Sequence, residues 1–124
     1  MWIRNTKENH GNVFNDCTFR GLGNDAVIAR LPDNKGKNYP DAECVLLNCT
    51  LEGVPSEGFG PVDESASTAT LMEFNSCDKD GKTIDVSLRH KYVRQLDAIK
   101  DAELIGKYSD ANWVLNSRYD ATIH

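Results

Sequence analysis

Long apolar runs are missing from this chain of 124 residues. The longest are short, as in Cys44-Val45-Leu46-Leu47. A membrane-spanning helix needs roughly 20 such residues in a row, so none is expected. A basic excess is missing too: 14 Lys and Arg stand against 19 Asp and Glu, for a net charge of −5. Nucleic acid and anionic membrane surfaces are bound through clustered positive charge, so neither is expected as the main partner. There is no CxxC pair, and His10, His90 and His124 stand at no spacing that a zinc site uses, so no metal and no cofactor is expected. The start, Met1-Trp2-Ile3-Arg4-Asn5-Thr6, has no basic stretch followed by an apolar core and does not read as a secretory leader. Helical periodicity is absent over the first 90 residues.

What is present fits one soluble globular domain over 1–124. Hydrophobic residues make up 40% and charged residues 27%, enough to build a core in a chain of this length. Cys17, Cys44, Cys49 and Cys77 allow two disulfides by count, but free thiols acting as small apolar residues are the preferred reading. Three segments resemble one another: Val13 to Gly21, Val45 to Gly53, and Met72 to Cys77. Each is a short apolar strand, a polar turn at Asn, then a second short strand or its beginning. Periods of about 30 residues indicate stacked supersecondary units.

Strands are predicted at Val13-Phe14, Ala26 to Ala29, Cys44 to Leu47 and Ala69 to Phe74. Turn signals separate them at Gly21 and Gly23, Pro32 to Gly36, Pro55 to Gly60 and Asp78 to Gly81. The expected fold is all-β: a right-handed parallel β-helix over about 1–90, then a short α-helix and tail over 91–124. A sandwich with similar strands is the alternative. In a β-helix, Cys17, Cys49 and Cys77 would form one inward column, and Asn15, Asn48 and Asn75 would share a turn. Trp2, Ile3, Val13 and Phe14 would form an apolar end. Ile99, Ala102, Ile105 and Tyr108 give the spacing of one helix over Ala98–Tyr108, capped by Asp97 or Asp101. Trp113, Val114 and Leu115 fall in an irregular tail.

Several stretches, in order, resemble the C-terminal half of pectin methylesterases. Ala26-Val27-Ile28-Ala29-Arg30-Leu31-Pro32, followed by Ala42 to Cys49, is similar to that family's strand bearing an arginine and to the apolar strand after it. Gly58-Phe59-Gly60 is similar to its glycine-tryptophan turn. Met72-Glu73-Phe74-Asn75 resembles its glutamate-tyrosine-asparagine strand, with Arg89 near a later arginine. Lys107 to Val114 is similar to its terminal helix and exit. The resemblance covers roughly 12–115. It implies a carboxylic ester hydrolase that converts methyl-esterified galacturonan to pectate and methanol, on a β-helix secreted or located in the periplasm.

The resemblance assigns one catalytic residue, Arg30, and compares Phe59 with a family tryptophan; Lys35 and Lys37 are added as candidate substrate contacts for their charge. Arg30 would grip a carboxylate nucleophile bidentately, keep it ionised and attract the sugar acid. Phe59 would either stack on a sugar, as the family's tryptophan does, or pack in the core or a turn. One departure is clear: Arg30 is followed by Leu31, Pro32 and Asp33, where the family has a tryptophan two places on. The family's nucleophile, acid–base aspartate and oxyanion glutamines fall before this stretch, so the chain alone is expected to be inactive, completed by further coils of the same β-helix. Local acids do not replace them: Asp33 and Asp41 read as solvated loop, and Glu43 and Glu73 as structural partners of arginines such as Arg89. The alternative for Arg30 is a surface arginine paired with a nearby acid such as Asp25.

Two rival functions remain. A non-catalytic module can bind acidic polysaccharide through Arg30, Lys35, Lys37 and Phe59. A β-helix pectate lyase would need a calcium-binding acid cluster. Asp78-Lys79-Asp80-Gly81 with Asp85 only partly resembles a calcium loop and reads better as a tight turn. Asn48-Cys49-Thr50 matches a glycosylation acceptor by chance, and His10 receives no role.

Overall fold

The computed structural model describes residues 10–23, 27–31, 41–62, 69–89 and 91–116. Eight strands fall in chain order: β1 Asn12–Asn15, β2 Thr18–Arg20, β3 Ala29–Leu31, β4 Glu43–Leu47, β5 Thr50–Glu52, β6 Phe59–Val62, β7 Thr70–Phe74 and β8 Val93–Gln95. Two helices follow, α1 Ala102–Tyr108 and α2 Ala111–Asn116. The fold is therefore mostly strands with few helices. All the strand pairs are parallel, in three sheets: β1-β4-β7-β8, β2-β5 and β3-β6. The chain enters the first sheet, then the second, then the third, and returns to the first beside the strand it left.

Parallel pairing needs long returns. Asn12 lies opposite Cys44 and Thr18 opposite Thr50, a separation of 32 residues. It shrinks to 27 between β4 and β7 and to 22 between β7 and β8. β8 carries the first sheet past residue 90, where helix and tail were expected. It escapes the sequence because Val93 is its one apolar residue.

β4 is buried at every residue. Cys44 and Leu46 join a cluster to which all three sheets contribute, with Leu71, Leu51, Ala29 and Phe59. Val45 and Leu47 face the opposite way, where Leu104, Ile105, Tyr108, Trp113 and Val114 cover the sheet. A parallel strand enclosed on both faces reads as a continuous apolar run, which is why this one is plain in the sequence.

A tight turn follows each long strand of the first sheet. Its residue has positive φ: Asp16 at 58°, Asn48 at 55° and Asn75 at 55°. Asn and Asp enter this left-handed region more readily than other side chains. Asn75 Nδ2 donates to Asn48 Oδ1 at 2.9 Å. The third member of the row is Asp16, not Asn15, because Asn15 still pairs with Leu47 as the last residue of β1. The cysteine column also changes. Cys17 and Cys49 fall in register between the flanking pairs, but Cys77 lies opposite Thr50. The extra residue in Asn75-Ser76-Cys77 gives the third place to Ser76, which is buried. All four cysteines are free; Cys44 and Cys49 are buried, Cys17 and Cys77 half-buried.

The helical region divides in two. Asp97 Oδ1 accepts the N–H groups of Ile99 and Lys100 in a turn that leaves Ile99 exposed. Helix α1 therefore begins at Ala102 rather than Ala98. Asp101 stands at its N-cap without a side-chain capping bond; its carboxylate instead takes Asp97 N–H and Arg94. The expected tail residues Trp113, Val114 and Leu115 are helical, in α2, whose start is held by Asn112 N–H donating to Asp110 Oδ1 at 3.0 Å.

Candidate functional site

Arg30 is the middle residue of β3. Ala29 lies opposite Phe59 and Leu31 opposite Val62, with the register slipping between them. The approach to β3 is fixed by one backbone bond, Ile28 N–H to the Gly58 carbonyl, at 2.7 Å. The turn that presents this carbonyl is closed by Gly58 N–H donating to Pro55 O at 2.9 Å. Gly58 has φ +67° and no room for a side chain: an added Cβ would sit 2.7 Å from Arg89 Cδ.

Arg89 is enclosed, with 4% of its side chain exposed. Its Nε donates to Glu73 Oε1 at 3.0 Å and its Nη2 to Glu73 Oε2 at 3.1 Å. Its Nη1 donates to Ser56 O at 2.9 Å. Glu73, on β7, also accepts from Ser76 Oγ and, at 2.8 Å, from Gln95 Nε2. Burial works against the charge on Glu73, but the bonds from Arg89, Ser76 and Gln95 outweigh it and hold the carboxyl below its ordinary range. The pairing of Glu73 with Arg89 is the one expected from the sequence.

Glu43, the second enclosed carboxylate, opens β4 with no exposure. It accepts from Gly11 N–H at 3.0 Å and from the Tyr108 hydroxyl, and its Oε1 lies 2.7 Å from His10 Nδ1. The His10 ring is 4.6 Å from Trp113 and 5.6 Å from Tyr108. Sequence reasoning gave His10 no role; its contact with Glu43 spans 33 residues and that of Tyr108 spans 65, beyond any local pattern.

The other candidates separate from this centre. Of the two readings of Phe59, sugar stacking and core packing, the second holds: it is 2% exposed and packs in the core shared by the three sheets; no ring face is open to a ligand. It alternates inward with Ala29 opposite, so pleat direction decides its role. Lys35, Lys37, Asp25, Asp33, Trp2, Ile3, His90 and His124 lie outside the described residues. Val13 and Phe14 are half-buried. The suspected calcium loop is a pair of turns: Asp78 Oδ1 accepts the N–H groups of Asp80 and Lys82, and Asp85 Oδ1 accepts that of Ser87. Among the described residues no group of three or more His, Cys, Asp or Glu is placed to hold a metal ion, and no helix is long and apolar enough to cross a membrane.

Chemically, Glu43 and Glu73 are structural anchors. Neither can reach a substrate carbonyl from zero exposure. Clefts of about 280 and 330 Å³ lie where the first sheet meets the helices, lined in part by Val13 and Tyr108 and by Met72 and Tyr108 respectively. No family model, curated protein or solved structure matches this chain.

Proposed function

We propose that the chain forms coils of a right-handed parallel β-helix of the pectinesterase type, a carboxylic ester hydrolase acting on methyl-esterified galacturonan outside the cytoplasm or in the periplasm. One observation carries the reading: three parallel sheets are visited in a repeating order around a shared core, with Arg30 on the third. The motif order along the sequence supports it further. In this reading Arg30 holds an ionised nucleophile and attracts galacturonate. Lys35 and Lys37 add charge for the polysaccharide. Glu43 and Glu73 take no part in the chemistry, because both are spent on internal partners. The nucleophile and the proton shuttle that ester hydrolysis needs are assigned to further coils stacked beside β1.

A non-catalytic reading on the same face, binding acidic polysaccharide, is favoured by the same commitment of Glu43 and Glu73. Methanol release from highly methylated pectin, measured with retention on immobilised homogalacturonan, separates the two. Retention that falls in Arg30→Ala, without methanol release, supports the shared binding face. Methanol release that vanishes in Arg30→Ala places the nucleophile within this chain. Absence of any retention, or retention indifferent to Arg30→Ala, overturns both readings.

A further inference from the structure

We propose that Arg89, locked by Glu73, is the positioning residue for Arg30; this rests on the binding role given to Arg30 above. The two residues are joined by a short chain of contacts. Glu73 is fixed in β7, at the centre of the first sheet, and is clamped by three side chains. It orients the Arg89 guanidinium through a two-point contact, and the remaining nitrogen of that planar group reaches across to Ser56 O. Arg89 thereby ties the 55–58 turn to the first sheet. Its aliphatic stem lies where a side chain on Gly58 would be, so turn and guanidinium define each other's place. The Gly58 carbonyl then receives Ile28 N–H, two residues before Arg30. In β3, only Ala29 and Leu31 have register partners in β6, and the register slips between them. The bond at Ile28 thus adds, ahead of the slipped register, a tie that joins the pairs at Ala29 and Leu31 in placing the Arg30 backbone.

The geometry asks for arginine. A lysine keeps the charge but has a single ammonium, which cannot grip both oxygens of Glu73 and a carbonyl on the opposite side. Arg89→Lys should therefore leave the sheets intact and release the turn. Gly58→Ala should act on the same link from the other end, by pushing the guanidinium away while Glu73 and Arg89 are both retained.

The test uses the full chain and galacturonic acid oligomers, with affinity read by titration calorimetry. Arg30→Ala should weaken binding about tenfold, the scale of one lost charge-assisted contact. Arg89→Lys and Gly58→Ala should each weaken it by about as much. In the Arg30→Ala background, Arg89→Lys should cause no further loss, since its effect runs through Arg30. Tyr108→Phe, which disturbs Glu43 on the other face of the first sheet, should lower thermal stability and leave affinity unchanged. A multiplicative loss in the double variant, or wild-type affinity in Arg89→Lys, overturns the positioning role alone. Wild-type affinity in Arg30→Ala overturns the functional reading beneath it. Backbone amide NMR separates the two failures. Arg89→Lys should move the resonances of Ile28, Ala29 and Arg30, and Tyr108→Phe should not. Unmoved resonances overturn the positioning role whatever the oligomers do.

Discussion

Two glutamates stand in apolar strands, Glu43 at the start of one and Glu73 within another, and each is kept at zero exposure by different company: Glu73 by a guanidinium, a hydroxyl and an amide, Glu43 by an imidazole, a phenol and a backbone N–H. A buried carboxylate that loses its charge partner is expensive. Removing one member of such a pair costs about 3–5 kcal/mol, so Arg89→Met should lose stability of that order in urea unfolding. The pH dependence follows from the direction of the Glu73 shift. Its folded carboxyl titrates below the unfolded one, so its stabilising share is complete above the unfolded value and drains away as pH falls through the folded value. Glu73→Gln should flatten part of the acid limb of the stability curve. Asp85 and Asp97, held low by bonds from Ser87 and from Lys100 and Ile99, should keep the rest.

The thiols divide in the same residue-by-residue way. Burial, with Cys49 nearby, pushes the Cys44 thiol up to about 12, and burial raises Cys49 as well. The thiolate is the reactive form. In the native protein at pH 8, a thiol reagent should therefore modify Cys17 and Cys77 and leave Cys44 and Cys49 untouched until denaturant is added. Fast reaction at Cys44 or Cys49 would show that the core around β4 opens.

At the scale of elements, the turns after the long strands carry the most specific demand. Asn48 at φ 55° lies exposed and accepts the amide of Asn75. Asn48→Ala should cost about 1–2 kcal/mol, because a Cβ without a local hydrogen-bonding group resists the left-handed region, while Asn48→Gly should cost less. Equal losses would mean that the amide stack, not the backbone, matters at this corner. The strand–turn–strand unit was legible because its apolar half repeats. Its exact alignment was not, since Asn15 and Asp16 are both turn formers and only pairing distinguishes them. β6 was hidden by its own composition: Gly60 and Pro61 read as turn, yet the segment is an edge strand, where proline is tolerated. The apolar spacing found the inner face of α1, but the side-chain turn at Asp97 moved its start. At the candidate site, the Glu73–Arg89 pair could be anticipated from charge, whereas the environment of Glu43 depends on residues far along the chain.

For the whole molecule, β4 and β7 both give buried residues to the two apolar clusters, and β4 gives the most. Opening it would expose the two together. Hydrogen exchange should therefore find the amides of Val45 and Leu46 released only by global unfolding, with β1 and β8, which have one described neighbour each, exchanging through smaller openings. Uniform protection across the first sheet would contradict this gradient.

The shrinking separation between paired strands also sets a timetable at the ribosome. At about 5–20 residues per second, the 32 residues between β1 and its partner take roughly 2–6 s to synthesise. The 22 between β7 and β8 take roughly 1–4 s at the same rate. β1 and β2 therefore wait longest for their partners β4 and β5, and the later strands of the first sheet wait less. Among the described strands, chaperone cover is thus most needed while β1 and β2 await their partners, and the need declines toward β8.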